Sequence, residues 1–458
     1  MFLPWIILGQ DEVSAGSPES YIEEGKYFNS YVAEGTGSGS VEGDEGIYFS
    51  SFGEAPEKAL SVNGSVEFRT RYLFNYDRIG HSEIMSFPEL KLKIQYKNVH
   101  SELFTSLDFG KNVLFEDFGM LMDEAYIRLF YDRFNLTAGF IKVVWGKGDD
   151  VHVIDVLNPM DYSDFINPDY IERKVAEKMV KLDVPFVPQG QLELVYEPVF
   201  TPDTIPTTGI WTPYEVQRLY STLKDMGLDP QENIIYPDTN RLDYSQLALR
   251  FSGVVGRYDL GAMYYYGFLR EPTIDMSRAL TSKEVYISYD RVHVFGIEAA
   301  CVLLGFNLRG EAGYYLTEDT VGDDPLVHNN RFGYVVGFDR DLHLSNLNLN
   351  MQLYGTCILK KSGIEAQDIE YDEKGKYTDS ILVTSISDRY RHGKVMPEIS
   401  FIYGVERGDY MIRPKLELIL RDDVKLTFLY SVFEGKRVTN FGQFRDNDFL
   451  QASFTCAF

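Results

Sequence analysis

The sequence predicts an all-β fold, a closed antiparallel transmembrane β-barrel of about 16–18 strands. Three observations predict it. The chain alternates apolar and polar residues over short segments, as in Asn346–Leu353, where each second residue is apolar and the rest are amides. Successive strand side chains point to opposite faces, so such a segment has one oily and one wet face. No apolar run approaches the roughly eighteen residues that a membrane helix needs. Finally, short and long connections alternate along the chain. That is how barrels with short periplasmic turns and long outer loops are built.

Composition is compatible with this fold. Mean hydropathy is −0.21, too polar for a helical membrane protein, but only half of each barrel strand faces lipid. Tyr (32) and Phe (31) favour strands, and Tyr also suits the membrane–water boundary. A large soluble β-protein would share these numbers, so the loop pattern decides between them. A net charge of −25 argues against a nucleic-acid partner, because it offers no basic patch for phosphates. Cys301, Cys357 and Cys456 lie far apart with no C-x-x-C pair, and read as small hydrophobes in the barrel wall.

Residues 1–15 resemble a truncated export signal. Phe2–Leu8 is apolar and Val13-Ser14-Ala15 offers a small-residue cleavage site, although the basic start is missing. Residues 16–59, rich in Gly, Ser and Glu, read as a flexible acidic lead-in or a small plug. The barrel is expected over 60–458. Its first strand falls at 60–74. The next is marked by Leu90, Leu92, Ile94 and Tyr96 alternating with Lys91, Lys93, Gln95 and Lys97. Strands follow at 103–109, 125–131, 134–144, 177–186, 190–200, 244–254, 257–268, 291–302, 305–317, 331–340, 346–360, 377–387, 395–405, 410–420, 424–434 and 447–458. The patterns at 177–186 and 377–387 are weaker, which leaves sixteen strands open as the alternative to eighteen.

The long connections fall at 75–86, 146–176, 201–243, 269–290, 318–330, 361–376 and 435–446. In this register Glu406–Asp409 is an unusually short outer turn. One long loop carries a helix signal. Thr212-Pro213-Tyr214-Glu215 fits a capping box with Pro at the first helical position. Trp211 and Val216 suit a hydrophobic staple, Val216, Leu219, Leu223 and Met226 form an apolar stripe, and Gly227 ends it. The helix is either a surface element folded on its loop or a lid over the mouth. At the C-terminus, Leu450, Ala452, Phe454, Cys456 and Phe458 alternate with polar or small residues. Phe454 and the terminal Phe458 resemble the sorting signal read by the barrel insertion machinery.

The functional candidates cluster after the strand at 134–144. Trp145-Gly146-Lys147-Gly148-Asp149-Asp150 leads into Ile154-Asp155-Val156-Leu157-Asn158-Pro159-Met160-Asp161-Tyr162-Ser163-Asp164-Phe165. Asn-Pro sets a turn, and closely spaced Asp residues can accept backbone N–H bonds and fix an irregular loop. Such a loop could narrow the lumen, with Asp149, Asp150, Asp155, Asp161 and Asp164 favouring cations. Asn158 would turn the chain, and Lys147 and Arg173 flank the loop as charge partners. Purely structural pinning is the plainer alternative. Divalent-ion binding is a third, although the EF-hand positions are absent.

The W-G-x-x-D … N-P-x-D-x-x-D-F run resembles an uncharacterised porin-like family of outer-membrane β-barrels of Gram-negative bacteria, loosely similar to alginate-export and fatty-acid-transport barrels. Ile412-Arg413-Pro414, Asp422-Asp423, Phe433-Glu434-Gly435 and Phe441-Gly442-Gln443-Phe444 with Asp446-Asn447-Asp448 fit the same pattern. The resemblance implies a channel or transporter in the bacterial outer membrane, with lipid and a small solute as partners, and brings no catalytic residues.

Seven histidines are scattered without metal spacing, and neither G-x-S-x-G nor a phosphate loop is present. No cofactor, metal or catalysed reaction is therefore expected. Passage of a small solute, with 146–176 as an acidic constriction, is the leading expectation. A surface adhesin or structural barrel and an outer-membrane hydrolase are the alternatives.

Overall fold

The computed structural model describes residues 59–79, 83–110, 122–149, 151–164, 169–186 and 189–458. The expected signal at 1–15, almost all of the lead-in at 16–59, and the candidate Asp150 lie outside these residues.

Alternation carries through into eighteen barrel strands. They are β1 (Ala59–Leu73), β2 (Ile84–Lys97), β3 (Ser101–Gly110), β4 (Met122–Phe130), β5 (Asn135–Ile141) and β6 (Glu177–Phe186). Next come β7 (Gly190–Glu197), β8 (Gln246–Val255), β9 (Tyr258–Phe268), β10 (Arg291–Leu303), β11 (Phe306–Thr317) and β12 (Arg331–Asp341). The last are β13 (Asn348–Ile358), β14 (Thr378–Ser387), β15 (Val395–Gly404), β16 (Tyr410–Arg421), β17 (Val424–Glu434) and β18 (Phe449–Ala457). Both weakly patterned segments are full strands, which decides for eighteen over sixteen.

Each strand pairs antiparallel with its sequence neighbours. The ring closes where β1 pairs β18, from Ser65 opposite Ala457 to Leu73 opposite Phe449. Beyond that register, Gly64 and Phe458 exchange two backbone hydrogen bonds of 2.9 Å. Gly64 is required here, because a Cβ on it would lie 2.7 Å from the Lys91 backbone oxygen.

The wall is inverted relative to a soluble protein. On β10, Ile297 is 63% exposed while its neighbour Glu298 is 3% exposed; on β12, Val336 is 64% exposed. Outward positions are apolar on strand after strand: Leu247, Leu249 and Phe251 on β8, and Ile399 and Phe401 on β15. Inward positions carry Glu193, Arg250, Glu298, Glu311 and Gln352, all buried. The amide stretch of β13 follows the same rule, with Leu353 outward and Asn350 and Gln352 inward.

The chain is threaded so that the long connections, including 142–176, 198–245, 269–290 and 359–377, share one end of the barrel. Tight links such as 256–257, 304–305 and 422–423 share the other end. The turn at 405–409 is the short exception at the long-loop end, with Gly408 in the left-handed region at φ 70°. Three short strands add a small sheet there: Ile234–Ile235, Thr273–Asp275 and Val285–Ser288.

The helix forms at Tyr214–Asp225, but the capping box does not. Pro213 is the N-cap residue, so Thr212 sits one place too early. The Thr212 hydroxyl instead donates to the Gly209 carbonyl oxygen at 3.0 Å. The far end is as expected. Gly227 has φ 74°, its N–H reaches the Lys224 oxygen, and the Leu228 N–H reaches that of Leu223, the double bond of a Schellman ending.

Candidate functional site

The connection after β5 turns into the barrel rather than out into solvent. Its apolar side chains have nowhere to go but the lumen wall: Val143, Trp145, Val151, Val153, Ile154 and Leu157 are all buried. They pack with inward residues of the wall, among them Met263, Val294, Tyr315 and Val335, in one core inside the barrel. The wall has a depression to receive them. Gly296, Gly313 and Gly333 lie in register on three adjacent strands. A Cβ on Gly296 would come within 2.8 Å of Ile154, and one on Gly333 within 3.1 Å of Val153.

One carboxylate clamps the loop to that wall. Glu311 on β11 accepts from the backbone N–H groups of Lys147 (2.8 Å), Gly148 (2.6 Å) and Val153 (2.8 Å), and its Oε1 lies 2.8 Å from His152 Nδ1. Gln352 on β13 accepts from the Asp149 N–H at 2.9 Å and donates to the Asp149 carbonyl oxygen at 2.7 Å. At its other reach, Asp164 takes a two-pronged bond from Arg71 on β1, 2.7 Å on each arm. Glu172 meets Lys91 on β2. In a ring of eighteen, β11 and β1 are almost diametrically placed, so the described residues of this loop are fixed to opposite sides of the lumen.

The sequence-singled residues divide into interior pins and lumen-facing groups. Asn158 is a pin: its Oδ1 accepts from the Val143 N–H at 2.7 Å, and its Nδ2 donates to the Ile141 and Val175 oxygens at 2.8 and 3.0 Å. It ties the loop's two ends together. Asp155 is also interior, 4% exposed, bonded to Lys174 Nζ and to the Tyr170 hydroxyl at 2.7 Å. Its cation is therefore Lys174 and not the neighbouring Arg173, which is buried beside the Tyr170 ring. Lys147 reaches Asp259 on β9 at 2.8 Å. Asp161 accepts from the Ser163 N–H at 2.8 Å, closing an Asx turn. Asp149 lies 3.4 Å from Arg309. Asp161 and Asp164 are only partly buried.

A second long loop locks onto the first. Met160 N–H donates to Asp203 at 2.8 Å, and Thr204 N–H to the Met160 oxygen at 2.9 Å. Burial pushes the Asp203 carboxyl up to about 6, against the pull of Arg270 and the Met160 N–H. The same loop carries the helix Tyr214–Asp225. Trp211, at its start, packs on Phe433, Phe444 and Phe449. Leu223, at its end, packs with Ile234, Val285 and Ile287 of the small sheet and with Ala279 of the segment between its strands.

At the rim, His328 Nδ1 lies 2.6 Å from Asp290, and Arg331 donates to Glu271 at 2.7 Å. Burial opposes the His328 charge, yet Asp290, Glu271 and Glu370 together hold its pKa above the ordinary value.

Sequence reasoning missed Glu311, the glycine row and the rim cluster. The three glycines sit at inward positions of patterned strands, which was the available signal. Glu311 looks like any other lumen-facing acid.

No protein-family model matches this chain, and no curated protein matches it. Among solved structures, a mutant of the Rh. blastica porin is 11% identical, with TM-score 0.41 over 87% of this chain and 100% of that one. OccK11 (OpdR) of Pseudomonas aeruginosa is 8% identical, with TM-score 0.46 over 87% of this chain and 95% of that one.

Proposed function

We propose that the protein is an outer-membrane channel for small solutes, in which the loop 146–176 forms the constriction. The observation that carries this reading is a closed wall with an apolar outside and a charged inside, crossed by one loop fixed to opposite strands. Hydrocarbon requires every backbone polar group to be paired, and a closed ring of strands satisfies this. The outward Leu, Ile, Val and Phe side chains belong against lipid, while the lumen charges need water. An eighteen-strand barrel is wide enough to enclose an aqueous path.

In this reading Glu311, Asn158 and Asp155 hold the loop in shape, while Asp161 and Asp164 border the remaining path. Acidic side chains outnumber basic ones among the buried charged groups, which favours cations. Passage follows the solute gradient, and no bond is made or broken. Phe454 and Phe458 serve as the signal for the insertion machinery.

Purified full-length protein in a planar bilayer tests this. Discrete conductance steps, with a reversal potential showing cation preference in a salt gradient, are expected. A folded barrel that never conducts would end the channel reading.

A further inference from the structure

The rim contains a cavity of about 270 Å³, just below the usual range for drug-sized ligands and suited to a smaller molecule. It lies between the helix Tyr214–Asp225, the small sheet and the starts of β12 and β14. Its lining is of two kinds. Leu219, Ile274, Met276 and Ile358 supply an aliphatic side, and Glu215, Glu271, Glu370 and Asp379 supply carboxylates.

Three of the four carboxylates are matched by cations of the protein. Glu215 pairs with Arg218 at 2.8 Å, Glu271 with Arg331 at 2.7 Å, and Asp379 lies 3.5 Å from Arg407. His328, the other basic group of the lining, is committed to Asp290. The Glu370 carboxylate makes no ion pair or side-chain hydrogen bond among the described residues, although it lies near His328, Glu271 and Arg331. A partly buried carboxylate beside a second acid is stabilised by a cation. An anion would meet arginines already engaged and four negative groups. A bare divalent ion is also disfavoured. Among the described residues, the one trio of acids close enough for a metal is Glu89, Asp108 and Glu172, elsewhere in the barrel, and the aliphatic half of this cavity would offer it nothing.

We propose that this cavity binds a small organic cation, with its ammonium group against Glu370 and a short aliphatic chain against Leu219, Ile274 and Ile358. The helix Tyr214–Asp225 thereby forms part of a solute-capture site at the rim. This deepens the channel reading by naming a solute class, and rests on that reading for its role. Binding itself is measured without current.

The test is calorimetric titration of the full chain in detergent with n-butylammonium, methylammonium and butyrate. Saturable binding of n-butylammonium is expected, tighter than methylammonium and with none for butyrate. Glu370→Gln keeps the shape and removes the charge, and should weaken n-butylammonium at least about tenfold. Leu219→Ser should erase the advantage of the longer chain while methylammonium binding persists. It decides the matter if the Glu370 variant does not fold. Absence of n-butylammonium binding, equal binding of butyrate, or indifference to both substitutions overturns the proposal. Conductance with no binding would sink the capture site alone. Charge-dependent binding with no conductance would sink the channel alone.

Discussion

Replacing Glu311 by alanine is the sharpest perturbation of the loop clamp. The side chain is fully buried and its two oxygens serve three backbone N–H groups of the loop, with His152 Nδ1 2.8 Å from Oε1. A hydrogen bond to a charged group contributes about 1.5–3 kcal/mol, and a buried N–H left without an acceptor costs about 1–3 kcal/mol. Three orphaned N–H groups at the lower end of these ranges come to roughly 4 kcal/mol. Part of this is recovered if the loop lifts off and its amides find water. The pinned state should therefore lose about 4 kcal/mol against lifted states, a shift of roughly a thousandfold in that equilibrium. Single-channel recording should show larger and noisier currents, and limited proteolysis should cut within 146–164, where the wild type resists. Wild-type conductance, noise and protease resistance in a folded Glu311→Ala barrel would refute the clamp and the constriction built on it.

Other outcomes follow from the same geometry. The double substitution Asp161→Asn, Asp164→Asn should move the reversal potential toward anions, because Arg71 and Arg69 lose their counter-charge; unchanged selectivity would make both residues structural only. Trp211→Ala removes a buried indole from three phenyl rings, a loss of about 3–5 kcal/mol in typical cores. It should free the helix Tyr214–Asp225 and speed tryptic cleavage at Arg218 and Lys224 without unfolding the barrel. His328 has a raised pKa in the folded protein, so its pairing with Asp290 is fully present below the unfolded value near 6.5. That contribution is lost as pH rises through the folded value. The heat-modification midpoint of the wild type relative to His328→Asn should therefore be larger at pH 6 than at pH 9; equal differences would exclude the pair as a source of stability.

The barrel was legible because both faces of each strand are under constraint. On β2, lipid demands Leu90 and Ile94 and the lumen demands Lys91 and Lys93, so the period of two survives in the sequence. Loop lengths gave the sorting of connections to the two ends, since a two-residue link and a forty-residue link cannot be confused. Even the weak pattern at 177–186 lies on β6. The loop's inward fold was legible in its Asp and Asn-Pro spacing, but its partners were not. Asp155 chose Lys174 over the adjacent Arg173 because burial geometry, not sequence proximity, decides which cation arrives. Glu311 lies more than 150 positions from the amides it holds, and nothing local marks it. The helix cap failed by one residue, because a Pro that suits the first helical position equally suits the residue before it. The small sheet was invisible, since strands of two to four residues drawn from separate loops carry no period of their own.

The ring is stitched shut between segments that the ribosome makes at widely separated times. Arg71 and Gln451, bonded side chain to side chain at the seam, are 380 positions apart. Until the second partner exists, β1 has an unsatisfied edge of amides and carbonyls, the kind of edge that recruits other chains. Closure is thus a late, non-local event, slow by the logic of loop entropy. Whatever assembles this barrel must keep the β1 edge covered until β18 reaches it.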